Sequence, residues 1–163
     1  MTTVEGQIQI KIEQLLNKIN ESIPVHWDEL YVNIEMNNDG GTVYFFFKRT
    51  DEIQFHYSVS IPKEFEISNQ IFRAYYREQF NIGREFWFLF KENGLAEWSN
   101  AIISYVQGRM NLSFDYTPWL NSDFGPTDRL YYFMYQYLKY SPISDEEKEK
   151  FSQMKKFQEQ FND

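Results

Sequence analysis

The segment Leu30–Lys48, LYVNIEMNNDGGTVYFFFK, holds two strand patterns joined by a turn. Leu30, Val32, Ile34 and Met36 alternate with Tyr31, Asn33 and Glu35, the period-two pattern of a half-buried strand. Asn37-Asn38-Asp39-Gly40-Gly41 is rich in residues that tolerate positive φ, which predicts a hairpin turn. Val43–Lys48 then forms a second strand. Its run Tyr44-Phe45-Phe46-Phe47 is apolar on both faces, which predicts a central strand covered on each side.

Working outward, Ile53, Phe55, Tyr57, Val59 and Ile61 alternate with polar residues and predict a third strand over 53–61, stopped by Pro62. Upstream, Ile8, Ile12, Leu15 and Ile19 fall on one face of a helix over 5–21, ended by Ile23-Pro24. Downstream, Ser68 is a candidate N-cap for a helix over 69–92. Gly83 is a possible kink in it, and Gly94 sits where a left-handed C-terminal cap belongs. Trp98–Val106 and Met110–Tyr116 read as a fourth and a fifth strand around the turn Gln107-Gly108-Arg109. Residues 129–140 fit both a helix and a strand, with helix preferred for the start signal at Pro126-Thr127-Asp128. Ser144 and Glu147 form a capping box for a terminal helix over 145–161, with Phe151, Met154, Phe157 and Phe161 on one face. That helix docks either on its own domain or on a partner, the former being preferred. The order predicts an α+β fold: one domain over residues 1–163, with a mostly antiparallel sheet of about five strands.

Composition narrows the function. Aromatic residues make up 20% of the 163-residue chain, so a large core can be buried and disorder is not expected. Cysteine is absent, no apolar run is long enough to cross a membrane, and the N-terminus lacks the pattern of a secretory signal. A cytoplasmic location is the expectation. The formal net charge is −8. Ile19–Phe47 holds five acids and no Lys or Arg, and Glu92–Asp128 holds five acids and only Arg109. Such a field repels nucleic acid and attracts basic proteins, although solubility alone also selects it.

The stretch Asn111–Arg129, NLSFDYTPWLNSDFGPTDR, mixes large rings with carboxylates. Trp119 and Phe124 either fold back as a lid on the core or anchor a partner. Chemistry for catalysis is thin. His26 and His56 are the only histidines and lack metal-ligand spacing. Glycine-rich phosphate loops and a nucleophile elbow are missing. Asp115 and Asp123 could flank a substrate, but surface charge is the simpler reading. No cofactor and no enzymatic activity are expected.

Four segments carry a family resemblance: IPVHWDELYVNIEM at Ile23–Met36, GTVYFFFK at Gly41–Lys48, FKENGLAEWSNAIISYVQGRMNLSFDY at Phe90–Tyr116, and FGPTDR at Phe124–Arg129 with YQYL at Tyr135–Leu138. In this order and spacing they resemble the YezG-like immunity proteins over about residues 5–140, and the terminal helix lies beyond the resemblance. That family includes EsaG-type antitoxins of toxins exported by type VII secretion, notably EsaD-like nucleases. The resemblance implies a protein that binds a basic nuclease domain and blocks it, with no catalysis and no cofactor. On chemical grounds, candidate anchors are Tyr116, Trp119 and Phe124, and candidate charges are Asp115, Asp123, Glu29 and Glu35. Reversing Asp115 and Asp123 to Lys is then expected to weaken binding while leaving the fold intact. An intracellular adaptor with an unknown partner is the competing reading.

Overall fold

The computed structural model describes residues 3–163. Helix α1 (Val4–Ser22) starts where the Thr3 side chain accepts the Gly6 N–H, and buries Ile12, Leu15 and Ile19. Strands β1 (Glu29–Asn37) and β2 (Gly40–Lys48) pair antiparallel from Glu29↔Lys48 to Asn37↔Gly40. Gly41 is obligatory in this hairpin, because a Cβ there would lie 1.9 Å from the Glu35 carbonyl oxygen. β4 (Asn100–Val106) pairs with the other edge of β1, and β5 (Arg109–Asp115) pairs with β4. The five-stranded sheet runs β3-β2-β1-β4-β5, so β2 is an interior strand, covered on both faces as its apolar run predicts, and β1 lies at the middle.

The predicted third strand is shorter than its alternation implies. Only β3 (His56–Tyr57) pairs with β2. The chain then tightens into a 3-10 turn at Ser58–Ser60 and a short helix α2 (Ile61–Phe65) with Pro62 in its first turn. The buried Ser58 hydroxyl accepts the Phe45 N–H at 3.1 Å, a bond that a longer β3 would have supplied. Ile53 is 96% exposed and Val59 is 56% exposed, whereas Phe55 and Tyr57 pack on the core and Ile61 is buried, so the alternation does not mark one continuous buried face.

Helix α3 (Asn69–Glu92) is capped by the Ser68 hydroxyl, which accepts the Ile71 N–H. It runs unbroken through Gly83. A Cβ at Gly83 would stand 2.9 Å from Val43 Cγ2 and 3.3 Å from Ile34 Cγ2. The glycine is there for close approach to the sheet, not for a bend. The helix ends in a Schellman motif: Gly94 has φ +68°, its N–H bonds to Lys91 O, and the Leu95 N–H bonds to Phe90 O.

Both faces of the sheet are covered. Leu30, Val32, Ile34 and Met36 of β1, Val43, Phe45 and Phe47 of β2, and Ala101 and Ile103 of β4 pack on the apolar stripes of α1 and α3. On the opposite face Tyr44, Phe46 and Ile102 meet Phe133 of α4 (Pro126–Tyr137), which settles the ambiguous segment as a helix. Helix α5 (Asp145–Glu159) lies outside α4. Its Phe151 and Met154 are buried against Tyr132 and Trp119, so the terminal helix docks on its own chain.

Candidate partner-binding surface

The segment after β5 is built on one buried carboxylate. Asp115 Oδ1 accepts the Thr117 N–H at 3.0 Å and the Thr117 hydroxyl at 2.6 Å, closing a local Asx-type turn. Its Oδ2 accepts the Trp119 indole N–H at 2.7 Å. Two side chains from the far end of the chain complete the set: Gln158 Nε2 donates to Oδ2 at 2.9 Å and Asn162 Nδ2 to Oδ1 at 3.0 Å. Trp119, 4% exposed, then packs edge-on against Phe124 and Phe157 and tilted against Tyr132. The loop is a lid on the core, tied down by Asp115.

Beside this hub runs a polar strip on the α4 face of the sheet. Glu35 is buried and receives Arg129 in a fork, with Nε at 3.0 Å from Oε2 and Nη2 at 3.1 Å from Oε1. Arg129 Nη1 also donates to the Phe124 carbonyl at 2.8 Å, which holds the end of the loop. The bridge joins two segments quoted above, the one around Glu35 and the one ending in Arg129. Asn100 Nδ2 donates to Asn33 Oδ1, and Asn33 Nδ2 donates to the Tyr44 hydroxyl. Burial pushes the Tyr44 phenol well above its usual range.

These contacts sort the residues proposed from sequence. Glu35, Asp115 and Trp119 lie in the interior with internal partners, so the expectation that Asp115 can be reversed without harm to the fold does not hold. Tyr116 and Asp123 are exposed, and Phe124 is half-buried. Glu29 is partly buried and pairs with Lys48 at 2.7 Å. It does not join the others: Glu29 faces Val106 in the register, whereas Glu35 faces Asn100 and Asn100 faces Asp115. Six strand steps separate the two ends, about 20 Å. At the Tyr116 end a shallow hollow of about 170 Å³ is rimmed by Tyr116, Pro118, Leu120 and Glu97. Asp123 and Glu97 carry no ion pair among the described residues. Arg129, Gln158 and Asn162, which hold this end together, were not singled out in the sequence. The Asp115-Tyr116-Thr117 spacing was the one local signal that Asp115 caps a turn.

The histidines sit elsewhere. His56 pairs with Phe47 at the β3 edge, and its ring lies between Glu64 (2.8 Å from Nδ1) and Glu52 (2.7 Å from Nε2). His26 contacts Asp28 in the loop before β1. Among the described residues no group of three or more His, Cys, Asp or Glu side chains could hold a metal ion. Burial alone would lower the His56 pKa, but the hydrogen bonds and charges of Glu64 and Glu52 overcome it and raise it. Both ring nitrogens can donate only when the imidazole is protonated. Its stabilising contribution is therefore complete below about pH 6 and is lost as pH rises through the raised pKa. The urea midpoint of the wild type should fall between about pH 6 and pH 8 relative to H56Q, and a constant difference would remove His56 from the pH response.

Comparison with known proteins bears on what such a surface serves. Residues 9–152 match the family described as Immunity protein YezG-like. The chain belongs to the YezG-like immunity protein family. Among relatives, the Type VII secretion system protein EsaG of Staphylococcus aureus (strain NCTC 8325 / PS 47) is 29% identical over 156 residues, covering 95% of this chain and 96% of that protein. The Immunity protein YezG of Bacillus subtilis (strain 168) is 27% identical over 133 residues, covering 81% of this chain and 88% of that protein. The YezG of Bacillus spizizenii (strain ATCC 23059 / NRRL B-14472 / W23) is 26% identical over 131 residues. The YezG-like match runs to residue 152, inside α5, so the terminal helix is partly within the family region and not wholly outside it. An immunity role follows from membership. Among the described residues no helix is long and apolar enough to cross a membrane.

Proposed function

We propose that this immunity protein neutralises a nuclease toxin exported by a type VII system, by binding the toxin's nuclease domain in the cytoplasm without catalysis or cofactor. The observation that carries the reading is the likeness to EsaG across nearly the whole chain, a protein whose name ties it to type VII secretion. The charge supports it. A nuclease domain must grip phosphate and is therefore basic, and a chain of net charge −8 is steered to it. Association rates of such pairs reach about 10⁸–10⁹ M⁻¹s⁻¹ at low salt. The chain acts as one unit, since α5 closes on the loop that presents Tyr116 and Asp123.

Co-expression with candidate nuclease toxins, scored by survival and DNA integrity, tests the reading. Protection against one of them, with a complex recovered on pull-down, is the expected result. Failure against every type VII nuclease of the host would overturn it. Within the complex, reversing the exposed pair Asp123→Lys and Glu97→Lys is expected to weaken binding about tenfold or more at low salt and to flatten its salt dependence. Unchanged affinity would take the Tyr116 end out of the interface.

A further inference from the structure

An open concavity lies at the other end of the sheet, away from the Tyr116 loop. It is a groove of about 710 Å³ between the C-terminal turns of α1, the loop before β1 and the β4–β5 turn. Trp27 and Tyr105 form its aromatic floor and meet edge to face with centroids 5.7 Å apart. The Trp27 indole N–H donates to Asn20 Oδ1 at 3.0 Å, which fixes the ring. Asp28 stands at the wall. Its Oδ2 accepts the Thr50 N–H at 2.8 Å and the Thr50 hydroxyl at 3.1 Å, so the carboxylate is set in place before any ligand arrives. These bonds, the Thr50 N–H foremost, hold its pKa below the usual carboxylate value. The other oxygen, Oδ1, lies 2.9 Å from Nε2 of His26, whose side chain is 75% exposed. No lysine or arginine lines the groove.

We propose that this groove receives an arginine-bearing segment of the toxin, an inference that rests on the reading above. A guanidinium is planar, stacks on the face of Trp or Tyr and donates to a carboxylate oxygen, and the groove places Trp27 and Tyr105 beside Asp28, whose Oδ1 is not held by Thr50. A phosphate ligand meets the carboxylates of Asp28 and Glu29 there, with no lysine or arginine in the lining to offset them, and is disfavoured. Glu29 is already engaged by Lys48, so Asp28 is the acceptor that remains. The volume suits a short run of side chains, and an arginine from a basic domain supplies the charge the groove lacks.

The test uses the full chain and the purified nuclease domain identified by co-expression. Asn17→Lys and His26→Lys each place a permanent cation at the mouth of the groove, on exposed positions that leave the core untouched. The double variant is expected to bind at least tenfold more weakly with an unchanged melting temperature. A second readout is independent of mutation. Trp87, Trp98 and Trp119 are buried, so Trp27 dominates quenching of tryptophan fluorescence by acrylamide. Complex formation should shield it. If the wild type binds but either the affinity loss or the shielding is missing, the groove is not the contact and the nuclease reading stands. If the wild type binds no nuclease domain, the nuclease reading falls and takes the groove's occupant with it.

Discussion

Asp115→Ala is expected to lower the unfolding free energy by about 2–5 kcal/mol, because it strips several buried donors of their only shared acceptor. The Thr117 N–H and the Trp119 indole N–H cannot turn to solvent without opening the loop. Gln158 and Asn162 can, and by doing so they release the end of α5. The urea midpoint should therefore drop, and amide exchange should rise first over α5 and the Trp119 loop while β1 and β4 stay protected. Asp115→Asn keeps the shape but presents N–H groups to donors, so it should recover little. A variant with wild-type exchange in α5 would show that the carboxylate is not what holds the helix.

Arg129→Met should cost a comparable amount, about 3–5 kcal/mol, by leaving the Glu35 carboxylate buried without its partner. The side chains of Glu35 and Arg129 are only 6% and 15% exposed, so water does little to screen the loss. The same change frees the Phe124 carbonyl. The double variant Glu35→Gln, Arg129→Met removes the stranded charge and should recover a large part of that stability. A thermal or urea double-mutant cycle measures the coupling directly. Additive single effects would mean that the two groups do not act as a pair.

Much of this architecture could be read from local pattern. β1 shows in its alternation and β2 in its run of apolar residues, since both strands are buried over most of their length, and the caps at Ser68, Gly94 and Ser144 are spelled out by single residues. The third strand misled because Ile53 and Val59 are apolar without being buried. The loop residues were harder still. A carboxylate in sequence looks like surface charge, and nothing near Asp115 announces that Gln158 and Asn162 will fold onto it. Glu35 had the same defect, since its partner lies 94 positions away. Long-range polar pairing leaves no periodicity, so the acids that build the interior and the acids left outside could be told apart only in three dimensions.

The two sides of the sheet differ in kind, and this bears on how the sequence can drift. Against α1 and α3 the contacts are hydrocarbon, where one side chain can be exchanged for another of similar volume at small cost. Against α4 the sheet also packs Tyr44, Phe46 and Ile102 on Phe133, but beside them lie directional pairs: Asn33 with Asn100, Glu35 with Arg129, and Asp115 with Trp119. Divergence can proceed one position at a time on the first side. At the polar pairs of the second it proceeds by matched replacements, because an intermediate that changes only one member strands a buried polar group.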